Sequence, residues 1–143
     1  MSAEGEIRRL MFRYARLIDD GDFAAVGALF ESACIVAPDG TECHGADNIT
    51  ALYEHSARIY PETGTPCTQH VTTNVSILVE GDHATAQSCF TVLQALPDFP
   101  LQAIIAGRYE DEFSRGSGHW RFTRRRIEPR LLGDLSRHLL VEL

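Results

Sequence analysis

The sequence predicts an α+β domain in which three N-terminal helices enclose a pocket against a cone-like, curved antiparallel β-sheet. Three observations predict it. Apolar residues recur with a helical period in the first part of the chain and with a period of two from Cys67 onward. The helical and extended segments are largely segregated rather than alternating, as in α+β folds and unlike βαβ arrays. The middle strands are apolar on both faces, so neither face of the sheet centre is built for water.

The elements follow in order. Ile7, Leu10, Met11, Tyr14, Leu17 and Ile18 form one face of an amphipathic helix. Gly21 ends it, because glycine suits the left-handed conformation that closes helices. Asp22 is placed to cap a short second helix carrying Phe23, Val26, Leu29 and Phe30. Ala33 to Ala37 reads as a short strand, Pro38-Asp39-Gly40 as a turn, and Thr41 to Gly45 as the returning strand. Ala46 to Tyr60 predicts the third helix, with Ile49, Leu52, Tyr53 and Ile59 toward the core, and Pro61 to Pro66 a loop. Next, Val71, Val75, Ile77 and Val79 are expected on one strand face, and His70, Thr72, Asn74 and Ser76 on the other. Turns at Gly81-Asp82, Pro97 to Pro100 and Arg115 to Gly118 separate further strands over 83–96, 101–113 and 119–128. The tail, Arg130 to Leu143, is expected to be a last short helix. Without a repeat or a low-complexity stretch, the chain reads as one domain over 1–143.

Composition removes several function classes. The formal charge is −7, from 13 basic and 20 acidic residues, which argues against nucleic acid as a partner. The densest basic cluster is Arg124, Arg125, Arg126 and Arg130, read as a strand whose arginines pair with acids such as Glu110, Asp111 and Glu112. Cys34, Cys43, Cys67 and Cys89 show no C-x-x-C spacing and read as free thiols in a reducing cytoplasm. The N-terminus lacks the apolar core of a signal sequence, and no apolar run is long enough for a bilayer, so a cytoplasmic protein away from membranes is expected. The doubly apolar strands 84–96 and 101–106 are expected to wall a cavity or to meet a second copy of the chain in a homodimer or homotrimer.

Two residues carry the candidate chemistry. Asp19 borders the apolar stripe of the first helix, at the end where the helix dipole disfavours a carboxylate, so it calls for a compensating partner. His70 can be that partner, and an imidazole held by a carboxylate can act as a general base. An ordinary turn aspartate and a satisfied surface or core histidine are the plainer alternatives. No H-E-x-x-H spacing and no G-x-S-x-G motif occurs, so neither a metal nor a nucleophilic triad is expected. Gly116-Ser117-Gly118 lies between strands and reads as a turn, not a phosphate cradle. No cofactor is expected.

Three stretches together resemble a known family. They are Tyr14-Ala15-Arg16-Leu17-Ile18-Asp19-Asp20-Gly21-Asp22-Phe23, Thr68-Gln69-His70-Val71-Thr72-Thr73-Asn74, and Gly107-Arg108-Tyr109-Glu110-Asp111-Glu112-Phe113 with the following Gly118-His119-Trp120-Arg121-Phe122. Their order resembles the SnoaL-like group of the nuclear transport factor 2-like superfamily, in particular its scytalone dehydratase and hexachlorocyclohexane dehydrochlorinase branches. The resemblance implies that Asp19 and His70 form a dyad that removes a proton from a small apolar or polyketide-type substrate. It implies a lyase or isomerase without cofactor. Tyr14, Tyr53, Asn74, Phe90, Ile105 and Arg108 are the expected substrate-binding residues. A non-catalytic module that binds a small apolar molecule is the alternative, and an assembly protein with a filled interior a third.

Overall fold

The computed structural model describes all residues, Met1–Leu143. Helix α1 spans Ala3–Asp19, and the Ser2 side chain caps it by accepting from the Gly5 amide. Gly21 follows with φ +74, and a Cβ there would lie 2.5 Å from the Gly64 carbonyl oxygen, so glycine is required twice over. Helix α2 spans Phe23–Leu29 and is capped by Asp22, which accepts from the Ala25 amide. The hairpin β1 (Cys34–Val36) and β2 (Glu42–His44) precedes α3 (Ala46–Ser56). Four long strands complete the chain: β3 (Thr68–Glu80), β4 (His83–Leu96), β5 (Phe99–Gly116) and β6 (His119–Leu132).

The strands form one sheet in the order β2-β1-β6-β5-β4-β3. The meander β3 to β6 is antiparallel as expected, but β1 runs parallel to β6, so the sheet is mixed. Two other expectations fail for a common reason. The third helix stops at Ser56 rather than Tyr60, and the tail beyond Leu132 is an irregular strap with a single turn at 136–138 rather than a helix. Ala57 leaves helical geometry to bridge with Leu139, and the Arg58 amide donates to the His138 carbonyl at 2.8 Å. The two segments satisfy each other's backbone groups, which a local helix would have occupied. Ile59, expected in the core, is therefore exposed.

A bulge in β3 decides which residues point inward. Thr73 faces Cys89 and Ser76 faces Gln87, so Asn74 and Val75 together oppose Ser88. Asn74 takes φ +55, a left-handed value that asparagine tolerates better than most residues. The extra residue shifts the alternation by one. Before it, His70 and Thr72 stand beside the inward-facing Val92 and Phe90; after it, Ile77 and Val79 stand beside Ala86 and Ala84. The single face expected for Val71, Val75, Ile77 and Val79 is thus broken: Val71 pairs with Thr91 on the outer face, and the other three pack on the core. Without the bulge, His70 and the β3 part of the core would face opposite ways.

The outer face is divided. One end carries half-buried Cys89, Thr91 and Leu93 with exposed Leu101 and Leu131, the face expected to meet a second copy. Arg124, Arg126 and Arg130 of the cluster lie along β6, and acids meet them. Arg124 lies between Glu42 at 3.5 Å and Glu112 at 3.7 Å, while Arg126 and Arg130 both reach Glu128.

Arg125 is different. A register shift between Glu112 and Phe113 turns it inward, opposite Asp111 and beside Ile35 of β1. Nε donates to Asp111 Oδ1 at 2.8 Å and Nη2 to Oδ2 at 2.9 Å, with both side chains fully buried. The guanidinium carbon stands 3.7 Å from the Tyr109 ring centroid and 4.4 Å from that of Tyr14. Aromatic faces offset part of the loss of water around the cation. Removing one member leaves a buried charge without its partner, at about 3–5 kcal/mol, whereas replacing both by apolar residues of similar volume is often near neutral. Urea denaturation should therefore show Asp111→Asn strongly destabilised. The double change Asp111→Leu/Arg125→Met should lose less than the single change, and a double variant less stable than Asp111→Asn would contradict this.

Candidate active site

The end of α1 meets the start of β3 through one carboxylate. Asp19 Oδ1 accepts from His70 Nδ1 at 2.6 Å and from Thr68 Oγ1 at 2.9 Å. Asp19 Oδ2 accepts from the His70 backbone amide at 2.7 Å. The sequence-predicted pair is thus brought together, with two further donors that spacing alone did not reveal. These bonds offset the unfavourable position of a carboxylate at a helix C-terminus. They also fix the imidazole: Nδ1 is committed to Asp19, which leaves Nε2 as the free ring nitrogen.

His70 lines a cavity of about 410 Å³ between the inner sheet face, α3 and the C-terminal strap. Tyr14, Tyr53, Phe90 and Ile105 also line it, so four of the six expected substrate-binding residues share its wall with His70. Asn74 and Arg108 do not. Asn74 is the exposed bulge residue, and Arg108 is exposed on the outer face opposite Cys89. Asp19 is not in the cavity wall; it stands behind His70. Gly107 makes room for the floor, because a Cβ there would lie 2.8 Å from Phe90 Cζ and 2.2 Å from the Glu128 carbonyl oxygen. Phe90 can then stack on Tyr109 at 4.5 Å between centroids.

The cavity's polar groups beyond His70 are few. The Tyr14 and Tyr53 hydroxyls form a short hydrogen bond with each other. Burial raises the pKa of Tyr14 and pushes those of Tyr53 and Tyr109 well above the ordinary phenol value. Arg125, whose charge burial opposes but Asp111 upholds, pulls the other way on all three. The phenols therefore stay protonated and can donate.

Sequence reasoning missed Gln94, Tyr60, His138 and Tyr109 as contributors. The strap is held by Gln94, whose Nε2 donates to the Pro66 and Arg137 carbonyls, each at 3.1 Å, and by the Tyr60 hydroxyl, which donates to the Arg137 carbonyl at 2.5 Å. The strap in turn carries His138 into the cavity wall, with its ring centroid 6.4 Å from that of His70. Tyr109 completes the aromatic wall. The β1–β2 register also groups Cys34, Glu42 and His44, with ligand atoms within 4.8 Å of one another.

A SnoaL-like domain profile matches residues 1–126. The chain belongs to the SnoaL-like family. This SnoaL-like chain resembles several solved structures. One is a nuclear transport factor 2-like protein of cystatin-like fold from Novosphingobium aromaticivorans, at 25% identity and TM-score 0.75, covering 88% of this chain and 80% of that one. A provisionally assigned scytalone dehydratase from the same organism gives 23% identity and TM-score 0.72, covering 92% and 86%. LinA gives 18% identity and TM-score 0.73, covering 94% and 90%. The last two likenesses bear on fold alone. No curated protein matches the sequence. No helix is long and apolar enough to cross a membrane.

The buried His138 makes stability depend on pH. Burial, with His70 adding to it, lowers its pKa to about 4. The unfolded chain then binds a proton at about pH 6.5 that the folded chain resists down to about pH 4. This contribution is complete above pH 6.5 and is lost as pH falls toward 4, up to about 3 kcal/mol. His138→Gln should flatten the decline of unfolding free energy across that window, as read from urea titrations at several pH values. An unchanged slope would contradict it.

Proposed function

We propose that the protein is a lyase or isomerase that removes a proton from carbon of a small apolar molecule, with His70 as general base and Asp19 as the group that positions it. The observation that carries this reading is a carboxylate-held imidazole in the wall of an otherwise largely apolar cavity. A concave apolar site with few polar groups is the usual form of a small-molecule site, and the cavity speaks against a filled assembly module. Membership of the SnoaL-like family supports a small-molecule site.

The reading assigns the steps as follows. His70 Nε2 takes a proton from a carbon next to an electron-withdrawing group, and the C–H electron pair moves into that group. Asp19 stabilises the imidazolium through Nδ1. Where the activating group is a carbonyl, the Tyr14–Tyr53 hydroxyl pair can donate to the developing oxyanion. Elimination expels a leaving group from the neighbouring carbon as the double bond forms; isomerisation instead returns the proton from His70 to another carbon. Polyketide-like and other cyclic ketones of modest size fit this chemistry. The four free thiols support a reducing, cytoplasmic setting.

Deuterium uptake at the α-carbon of 1-tetralone in heavy water tests the reading. The wild-type chain should accelerate it, and His70→Ala should remove roughly 10²–10⁴-fold of the acceleration while leaving the fold intact. Asp19→Asn should lower it as well. Binding of the ketone with no accelerated exchange would favour the alternative, a non-catalytic binding module.

A further inference from the structure

We propose that Cys34, Glu42 and His44 form a zinc-binding site on the β1–β2 hairpin. None of the three lines the cavity, so the site stands apart from the proposed chemistry. The register of the hairpin creates the cluster. Cys34 lies directly opposite His44, and Glu42 precedes His44 by two residues, so strand alternation puts all three side chains on one face. Ile35 and Cys43, which lie between them, turn to the core instead, so the cluster belongs to the outer face. Each residue offers a ligand atom within 4.8 Å of the other two. The three are too far apart in sequence to read as a motif, and they meet only because the chain folds back.

The donor set suits zinc. Thiolate, imidazole and carboxylate are its usual ligands, and three of them leave the fourth tetrahedral position to water. A thiolate in the set selects against magnesium and calcium, which take oxygen donors. Cys34 is buried, but it lines an open hollow together with His44, Thr123 and the unpaired Glu31, and an ion can reach the sulfur from there. On binding, zinc replaces the thiol proton, which leaves to solvent. The backbone that carries the ligands is fixed: the Gly45 amide donates to the Ala33 carbonyl at 3.1 Å, and Asn48 Nδ2 to the His44 carbonyl at 3.0 Å. Only the exposed side chains of Glu42 and His44 need to turn, and these already meet at 3.1 Å through Oε1 and Nε2. Arg124 is the opposing charge. It approaches the other oxygen of Glu42, Oε2, at 3.5 Å, and Glu112 at 3.7 Å offsets its charge.

Titration of the reduced, tag-free chain with cobalt(II), followed by zinc, tests this by absorption spectroscopy. The wild-type chain should bind a single equivalent of cobalt, with a thiolate-to-cobalt charge-transfer band and the intense visible bands of tetrahedral coordination, and zinc should abolish both. This readout needs no variant. Cys34→Ser should remove the charge-transfer band, and Cys67→Ser, a thiol outside the cluster, should leave it unchanged. Losing even an outer partner of a metal ligand costs about 10–100-fold in affinity, so His44→Ala and Glu42→Gln should each weaken zinc binding by at least about tenfold. A wild-type chain without the charge-transfer band, a band that survives Cys34→Ser, or zinc affinity unmoved by His44→Ala would overturn the proposal.

Discussion

One carboxylate joins the two layers of this molecule at the point where its chemistry is proposed. Asp19 is the last residue of α1, and it takes three hydrogen bonds from β3, the outermost long strand of the sheet. Two come from side chains and one from the backbone, so the carboxylate fixes both the strand and the imidazole it carries. An acceptor at the negative end of a helix would otherwise be poorly placed. The same contact that compensates this charge orients His70, and structure and function depend on a single set of hydrogen bonds.

The pairing works only because β3 changes face part-way along. The left-handed Asn74 and the bulge around it let His70 share the inner side of the sheet with Val75, Ile77 and Val79. Register shifts do similar work elsewhere. One between Glu112 and Phe113 turns Arg125 into the core, while its neighbours Arg124 and Arg126 stay on the surface with Glu42, Glu112 and Glu128. The cavity wall is therefore a product of irregularities in a sheet that is otherwise a plain meander.

This explains what could and could not be read from the sequence. Periodicity and capping residues were enough for α1, α2, the β1–β2 hairpin and the four long strands, because those signals are local. Asp19 and His70 were legible because one borders an apolar stripe and the other stands among polar strand residues. The bulge was not, since a single inserted residue leaves the composition of a strand unchanged. The parallel pairing of β1 with β6, the early end of α3 and the strap all depend on partners far along the chain: Ala57 with Leu139, Ser56 with Leu140, Gln94 with Arg137. His138 was invisible for that reason, as its burial comes from the strap's course and not from its neighbours in sequence. Asn74 and Arg108 were placed at the pocket by motif and strand position, and their side chains face elsewhere.

The claim most open to direct measurement is the state of the His70 ring. With Asp19 Oδ1 accepting at 2.6 Å, the neutral imidazole must carry its proton on Nδ1 and leave the Nε2 lone pair for a substrate. ¹⁵N-resolved NMR of the histidine rings, at a pH where His70 is neutral, distinguishes the two tautomers. The account predicts an Nδ1–H tautomer with a slowly exchanging, strongly downfield proton that is lost in Asp19→Asn. A ring protonated on Nε2, or one averaging between tautomers as a solvent-exposed histidine does, would contradict it.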